Sequence, residues 1–234
     1  MDSSLTSNYK ERLEKKLSAL VPPCEITPKR LEKLVIYTQE LFLWNNSFNL
    51  IGDIHNTKLS QSQKEDIFIS RHICDALSAH KILSTIIEEK GEIEIADAGS
   101  GAGIPGVVLS IFFEKQKWNL IECSKRRCGF LQNVALLAGL SQITVLEKSI
   151  QEVKQKYDLV VFRAFRQFDQ FFPHLVALLK DNGALMAYKG QAKVAKNEVD
   201  LFCGSSSKFE FELNQVEVEG IERTIVVVKK RGQA

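Results

Sequence analysis

Hydrophobic residues recur at helical spacing through the first fifth of the chain. The spacing predicts a helix over about residues 5–20, and the two prolines at positions 22 and 23 are expected to end it. A second helix is predicted to begin near Pro28 and to end at Trp44-Asn45-Asn46. These two helices are the first elements of a helical extension.

The helical pattern continues after a polar interruption. Residues 57–64 are rich in Gln, Lys and Ser and predict a surface loop. Asp66 is then expected to cap an amphipathic helix that runs to about residue 83. We therefore predict that residues 1–90 form an N-terminal helical extension to the rest of the chain.

From Ile93 onward, short apolar runs alternate with helical stretches. This alternation predicts a parallel sheet wrapped by helices. The predicted strands are residues 93–98, 118–122, 143–146, 159–162 and 184–188. Residues 125–138 predict a helix with Ser124 as its N-cap. Four apolar residues are expected on one face of that helix: Phe130, Leu131, Val134 and Leu137.

The last part of the chain has a different pattern. Apolar and acidic residues alternate strictly over 209–213 and 216–219, and a β-branched run follows at 224–228. With Gly220 supplying the turn, this pattern predicts an antiparallel hairpin that completes the sheet. We predict an α/β, Rossmann-like fold: a mostly parallel seven-stranded sheet with a C-terminal antiparallel hairpin, in one compact core over residues 91–234.

Composition narrows the class of protein. The chain has 234 residues, of which 44% are hydrophobic, enough for a full core. Residues 1–19 hold no continuous apolar stretch, so no signal peptide is expected, and the longest apolar runs fall far short of the ~20 residues that span a bilayer. The five cysteines form no Cys-x-x-Cys pair, and the four histidines show no metal-ligand spacing. We expect a cytoplasmic protein with reduced thiols, no metal and no membrane partner.

Positive charge is concentrated in the middle of the chain. The net charge is only +2, but residues 123–196 carry 12 Lys and Arg against 5 Asp and Glu. Both flanking segments carry more acidic than basic residues. Residues 1–122 have 14 Lys and Arg against 17 Asp and Glu, and residues 197–234 have 5 against 7. The basic segment favours a polyanionic partner such as nucleic acid, although a solvated basic surface has the same composition.

A glycine-rich segment follows the first predicted strand. Residues 99–103 read Gly-Ser-Gly-Ala-Gly, and glycines here let the backbone approach a ligand closely. Residues 101–106 also fit the dinucleotide-binding pattern, which has low specificity by itself. Asp97 before the glycines and Glu122, about 20 residues after them, fit a site for S-adenosylmethionine, whose ribose hydroxyls a carboxylate can bind. The hairpin favours a methyltransferase over a dehydrogenase, and a turn that binds no ligand is the remaining alternative.

Arg163 follows the fourth predicted strand, at the edge where substrate and cofactor meet in an open parallel sheet. The residues there contain neither the Asn/Asp-Pro-Pro-aromatic motif of adenine amino methylation nor a Pro-Cys pair for carbon-5 of pyrimidines. Guanine N7 has a lone pair that needs no general base, so positioning can supply most of the catalysis. Arg163 could bind guanine O6, a phosphate or the methionine carboxylate, or it could form only a surface salt bridge.

Other candidate side chains are expected at the same edge. Lys189 ends the fifth predicted strand and is the second catalytic candidate. Lys125, Arg126 and Arg166 are predicted to contact RNA phosphate, although an exposed helix start would look the same. His72 could touch substrate, or it could simply be packed in its helix or capped by Asp75.

Six short motifs, taken in order, resemble one known family. They are Trp44-Asn-Asn-x-x-Asn49-Leu50, Arg71-His72-x-x-Asp75-x-Leu77, Asp97-x-Gly99-Ser-Gly-x-Gly-x-Pro-Gly106, Lys125-Arg126-x-x-x-Phe130-Leu131, Arg163-Ala164 and Lys189-Gly190. Over roughly residues 30–195 the sequence resembles the glucose-inhibited division protein B family, the bacterial small-subunit ribosomal RNA guanine-N7 methyltransferases. It departs from the usual family pattern at Ile51, Ser149 and Phe162, where Thr, Arg and Ser are common.

The resemblance implies an S-adenosylmethionine-dependent enzyme that methylates N7 of a guanine in 16S ribosomal RNA, within the small ribosomal subunit. It implies methyl-donor contacts at Gly99, Ile104, Ile150, Gln151 and Arg163. The physical argument adds three residues to the same pocket: Asp97, Gly101 and Glu122. We expect a monomer. The alternatives are an RNA-binding or ribosome-assembly factor with a vestigial cofactor pocket, and a small-molecule methyltransferase.

Overall fold

A mixed β-sheet forms the centre of the molecule. The computed structural model describes residues 5–20, 24–163, 168–203 and 209–230. Its strands are β1 (Glu94–Ala98), β2 (Lys117–Glu122), β3 (Ile143–Glu147), β4 (Tyr157–Arg163), β5 (Leu179–Lys189), β6 (Phe209–Val218) and β7 (Ile221–Lys230). The strand order is β3-β2-β1-β4-β5-β7-β6. Strands β1 to β5 are parallel, and β7 is antiparallel to both of its neighbours.

Helices precede the sheet and connect its strands. The α-helices are α1 (Tyr9–Ser18), α2 (Pro28–Phe48), α3 (Gln61–Phe68), α4 (Asp75–Leu77), α5 (His80–Lys90), α6 (Gly106–Phe112), α7 (Lys125–Leu137), α8 (Phe168–Ala177) and α9 (Ala192–Cys203). A π-helical segment, Ile69–Cys74, joins α3 to α4, and a 3-10 turn, Ile150–Glu152, follows β3. Within the described residues, no helix is both long and apolar enough to cross a membrane.

The parallel register brings the carboxyl ends of β1 to β5 to one edge of the sheet. Asp97 on β1 lies beside Leu120 on β2 and Val161 on β4. Glu122, the last residue of β2, is paired with Glu147, the last residue of β3. We call this side of the sheet the carboxyl edge. It is the place where an open parallel sheet binds its ligands.

The central strands form because their residues are apolar on both faces. Leu159, Val160 and Val161 on β4 are fully buried, as expected of a parallel strand covered by helices. Most residues of the edge strand β6 are exposed or half-buried instead, and Phe211 on it is 37% exposed. The predicted α/β fold, with its C-terminal hairpin, is confirmed.

One buried hydrophobic cluster passes from the N-terminal helices into the sheet. Leu13 on α1 and Leu34 on α2 belong to the same cluster as Val107 on α6 and Leu120 on β2. The helices therefore pack on the sheet rather than standing apart from it. The division into residues 1–90 and 91–234 stays a prediction.

Two predicted boundaries of α2 and α3 are wrong. Helix α2 continues through Trp44-Asn45-Asn46 and ends at Phe48, where Asn49 takes a left-handed conformation with φ 46°. Helix α3 begins inside the predicted loop, because the Ser60 hydroxyl accepts a hydrogen bond from the Gln63 backbone in a capping box. The loop is therefore shorter than predicted.

Asp66 does not cap a helix. It lies inside α3, and its carboxylate forms a salt bridge of 2.6 Å with Arg12 on α1. The single helix predicted to reach about residue 83 is divided by the π-helical segment and continues, after a turn, to Lys90.

The prediction for α7 is correct in place and only partly correct in detail. Ser124 holds the N-cap position, but its side chain makes no capping hydrogen bond. Phe130, Leu131 and Val134 are buried as predicted, whereas Leu137 is 49% exposed. Leu137 is the last residue of the helix.

Candidate active site

A turn with three left-handed glycines follows β1. Gly99, Gly101 and Gly103 have φ values of 71°, 57° and 84°, a conformation that other residues rarely adopt. The backbone N–H groups of Gly99 and Ser100 both donate to the Ile121 carbonyl, at 2.9 and 3.0 Å. The end of β2 therefore fixes the turn, as expected for a preformed ligand site.

The Glu122 carboxylate is oriented by this turn. One oxygen, Oε2, accepts a hydrogen bond of 3.0 Å from Gly101 N, and the other, Oε1, accepts one of 2.8 Å from Ser124 N. The Arg127 guanidinium lies 3.9 Å from Oε2. A carboxylate has about four acceptor positions, so it can bind further donors such as two ribose hydroxyls.

Asp97 lies beneath the turn and is almost fully buried. Its Oδ2 accepts a hydrogen bond of 3.1 Å from Gly106 N, while its Oδ1 is buried with no partner among the described residues. Burial raises the pKa of Asp97 to about 7. An unpaired buried acceptor at this position fits a site that receives a donor from a ligand.

The far side of the turn is supported by α2. The Tyr37 hydroxyl donates a hydrogen bond of 2.7 Å to the Ala102 carbonyl, and both residues are buried. Ile104, one of the predicted cofactor contacts, is 6% exposed and packs into the main hydrophobic cluster. The N-terminal helices thus help to hold the predicted cofactor site in place.

The segment after β3 reaches the same edge. The Lys148 backbone N–H donates to the Glu122 carbonyl, at 3.1 Å. Ile150 is buried, and Gln151, the other predicted contact, is exposed beside it. Ser149 is one of the positions where the sequence departs from the family that it resembles, and its hydroxyl donates to Glu152 at 2.6 Å in a capping box. The local turn gives this serine a structural role.

Arg163 ends β4 and reaches into the N-terminal helices. Its Nη1 donates to Asp75 Oδ2 at 3.0 Å and to the Arg71 carbonyl at 3.2 Å. The other carboxylate oxygen of Asp75, Oδ1, accepts from Arg223 Nε at 2.7 Å. Asp75 is 5% exposed, so a buried carboxylate holds two arginines at the carboxyl edge.

His72 is the next member of this network. Arg163 Nη2 lies 3.0 Å from His72 Nδ1, and a guanidinium only donates, so Nδ1 accepts. The hydrogen is then on Nε2, which donates to Asp53 at 3.1 Å. This hydrogen bond lowers the pKa of Asp53. The His72 ring also stacks on Phe68, with ring centres 5.5 Å apart.

Comparison with known proteins decides which family this arrangement belongs to. A model of the family described as rRNA small subunit methyltransferase G (GidB) matches residues 30–225. The chain belongs to this family. Family membership confirms the predicted family and enzyme class: the chain is a methyltransferase of ribosomal RNA that uses S-adenosylmethionine.

Curated relatives of this methyltransferase cover most of its length. The ribosomal RNA small subunit methyltransferase G of Borrelia turicatae is 31% identical over 204 residues, which are 87% of this chain and 92% of the relative. That of Borreliella burgdorferi is 36% identical over 182 residues, 78% of this chain and 82% of the relative.

A solved structure supports the fold. The magnesium protoporphyrin IX methyltransferase ChlM from Synechocystis, solved with bound SAM, matches with a TM-score of 0.58 at 14% identity. The match covers 85% of this chain and 97% of that chain. The likeness confirms the class I methyltransferase fold.

The other predicted site residues of the methyltransferase are the second catalytic candidate and the three RNA-binding candidates. Lys189 ends β5 at the carboxyl edge and forms a salt bridge of 2.6 Å with Glu198 on α9. Lys125 and Arg126 are exposed in the first turn of α7. Arg166 lies outside the described residues. In the described part of the chain, no group of three or more His, Cys, Asp or Glu side chains is placed to hold a metal.

Several residues of this network carry little or no local signal in the sequence. Asp75 was predicted only as part of a family motif and as a cap for His72, although it holds two arginines. Arg223, on strand β7, and Asp53, in the loop after α2, were not predicted at all. A local signal existed only for Asp75, since Arg223 reaches it from 148 positions along the chain.

Proposed function

We propose that this methyltransferase transfers a methyl group to N7 of a guanine in 16S ribosomal RNA, with the small ribosomal subunit as its substrate particle. The observation that carries the proposal is the arrangement around β1. Glu122 on β2 lies on one side of the glycine turn, and Arg163 on β4 lies on the other. A carboxylate for the cofactor and a cation for the substrate thus meet at one edge.

The cofactor site is proposed to be formed by the turn and its neighbours. Bound S-adenosylmethionine supplies an electrophilic methyl group on a sulfonium. Glu122 accepts hydrogen bonds from the ribose hydroxyls, and the unpaired oxygen of Asp97 accepts one from a cofactor donor. The other proposed contacts are Gly99, Gly101, Ile104, Ile150, Gln151 and Arg163.

Guanine N7 suits the groups that the edge presents. Its lone pair is free at neutral pH, so no residue has to remove a proton, and the site needs mainly to orient the base. The guanine ring gains positive charge during transfer, and a cation close to N7 would repel that charge. Arg163 is therefore proposed to contact a group other than N7. It binds O6, a phosphate or the methionine carboxylate, while Asp75 fixes its direction. Lys189 is proposed to add positive charge beside it, with Glu198 fixing its position.

The RNA is proposed to lie across the basic part of the edge. Lys125, Arg126 and Arg166 bind its phosphates.

The chain acts as a monomer without a metal, in the cytoplasm where ribosomal subunits are found. Residues 1–90 form the helical extension and residues 91–234 the methyltransferase core, with the extension supporting the site through Tyr37 and Asp75.

Transfer of labelled methyl groups tests the substrate class. The protein is incubated with methyl-labelled S-adenosylmethionine and, in separate reactions, with undermethylated small subunits, free 16S RNA and large subunits. We expect label in the RNA of small subunits and little in large subunits. No label in any RNA, with cofactor binding verified by calorimetry, would contradict the proposal and favour a binding or assembly factor.

A further inference from the structure

The end of α2 carries an exposed aromatic ring beside a cation. Phe48, the last residue of α2, is 39% exposed. The guanidinium carbon of Arg126, in the first turn of α7, lies 5.1 Å from the centre of the Phe48 ring. A ring and a planar cation in contact form the kind of surface on which unpaired nucleobases stack.

This surface is packed against the core. The Phe48 ring centre lies 5.4 Å from that of Trp44, which in turn lies 5.8 Å from that of the buried Phe130. Beyond Phe48 the chain is fixed by Asn45, whose side chain donates to the Ile51 carbonyl and accepts from the Ile51 N–H. A preorganised ring loses little conformational entropy when a base stacks on it.

The charge next to the ring suits a nucleic acid. Lys125 and Arg126 are exposed, and neither has a salt-bridge partner in the parts of the chain that the structure describes. Arg127, by contrast, lies 3.9 Å from Glu122. Exposed cations without a carboxylate partner are available to bind phosphates.

The pair also lies at the carboxyl edge. Arg126 is in the first turn of the helix that directly follows Glu122, and Glu122 is bonded to the glycine turn through Gly101. An RNA strand that brings a guanine to the turn therefore passes close to this ring.

We propose that Phe48 and Arg126 form a stacking platform for an unpaired base of the RNA substrate, with Lys125 binding the adjacent phosphate. The inference rests on the proposed function, because it takes RNA to be the substrate. The stacked base is a neighbour of the methylated guanine, which must itself reach the glycine turn.

Binding of undermethylated small subunits, measured by filter binding without cofactor, tests the platform. Phe48→Leu keeps an apolar side chain against Trp44 but removes the ring, and it should weaken binding by about tenfold. Phe48→Tyr keeps the ring and should bind like the unchanged protein. Phe211→Leu is the matched control, because Phe211 is 37% exposed on β6 at the other end of the sheet.

The dependence on salt separates stacking from charge. Phe48→Leu should leave the slope of affinity against salt concentration unchanged, whereas Arg126→Gln should weaken binding and reduce that slope by about one. Arg126→Gln changes an exposed side chain, so it also provides the test if Phe48→Leu melts well below the unchanged protein. Normal affinity in the folded variants would overturn the proposal.

The same preparations distinguish this inference from the proposed function. Methyl transfer by the unchanged protein, together with full affinity in Phe48→Leu, would refute the platform and leave the proposed function standing. Loss of affinity in Phe48→Leu but not in Phe211→Leu would support the platform even if the unchanged protein transferred no methyl group.

Discussion

Arg163 and Asp75 join the two predicted parts of the chain, since the guanidinium of the last β4 residue lies 3.0 Å from a carboxylate in the N-terminal helices. Asp75 is 5% exposed, and it also holds Arg223. The position of the candidate catalytic arginine therefore depends on a helix outside the sheet.

Asp75→Asn tests this dependence. The amide keeps one acceptor oxygen and turns an NH₂ group towards an arginine, which leaves a half-buried guanidinium without its carboxylate partner. We expect the free energy of unfolding to fall by about 3 kcal/mol in urea titrations. Asp66→Asn is the control, because that carboxylate pairs with Arg12 but its side chain is 45% exposed, and its loss should cost below about 1 kcal/mol. An equal loss of unfolding free energy in both variants would show that the buried Asp75 contributes no more to stability than an exposed ion pair.

Glu122→Gln tests the cofactor carboxylate. The amide has one acceptor oxygen, so it cannot accept from Gly101 and Ser124 and also bind both ribose hydroxyls. We expect calorimetry to show at least about tenfold weaker binding of S-adenosylmethionine. Glu147→Gln, at the exposed end of the neighbouring strand, should bind within a factor of about two. A similar loss of affinity in both variants would show that the overall charge of the protein, and not the Glu122 carboxylate, determines cofactor binding.

Two glycine substitutions should have opposite effects. A Cβ at Gly106 would lie 2.4 Å from Asp97 Oδ2 and 2.6 Å from a Leu120 methyl group, so Gly106→Ala should lower the free energy of unfolding by about 1–3 kcal/mol. A Cβ at Gly129 would meet only Trp44, at 3.8 Å, so Gly129→Ala in the middle of α7 should raise it by about 0.5–1 kcal/mol. Thermal melting of both variants checks the signs, and a stable Gly106→Ala protein would contradict the tight fit.

The pH dependence of stability tests the burial of Asp97. Burial raises the pKa of Asp97 from 3.8 to about 7, so the native state holds a proton there that the unfolded chain releases. Stability relative to Asp97→Asn should therefore fall by about 1.4 kcal/mol as the pH rises from about 5 to about 6, and should level off above about 8. Urea titrations of both proteins across this range measure the difference. A constant difference would mean that the carboxyl group is ionised throughout.

The sequence predicted the sheet well because strands and their connecting helices carry local patterns. The five parallel strands, the glycine turn and Glu122 all follow from residues close together in the chain. The start of α3 was missed although Ser60 and Gln63 form a local capping signal. The polar composition of residues 57–64 is typical of a loop, and it hid the short capping motif within them.

The rest of the site depends on tertiary contacts. Nothing in the β-branched run of β7 marks Arg223, and its partner Asp75 lies 148 positions away. His72 packs against Phe68 in the preceding helical turn, as one of its predicted alternatives requires, but its bonds to Asp53 and Arg163 were not predicted. Such pairings are set by the way the helices pack on the sheet, so a single sequence does not reveal them.

Identification of the methylated nucleoside tests the central claim most directly. Small subunits labelled by the unchanged protein are digested to nucleosides, which are separated and identified by mass spectrometry. The account predicts that the label is in 7-methylguanosine. Methylation of guanine N7 needs no general base, and the proposed site only has to orient the base and supply cations beside it. Label in a methylated adenosine or in a carbon-5 methylated pyrimidine would contradict it.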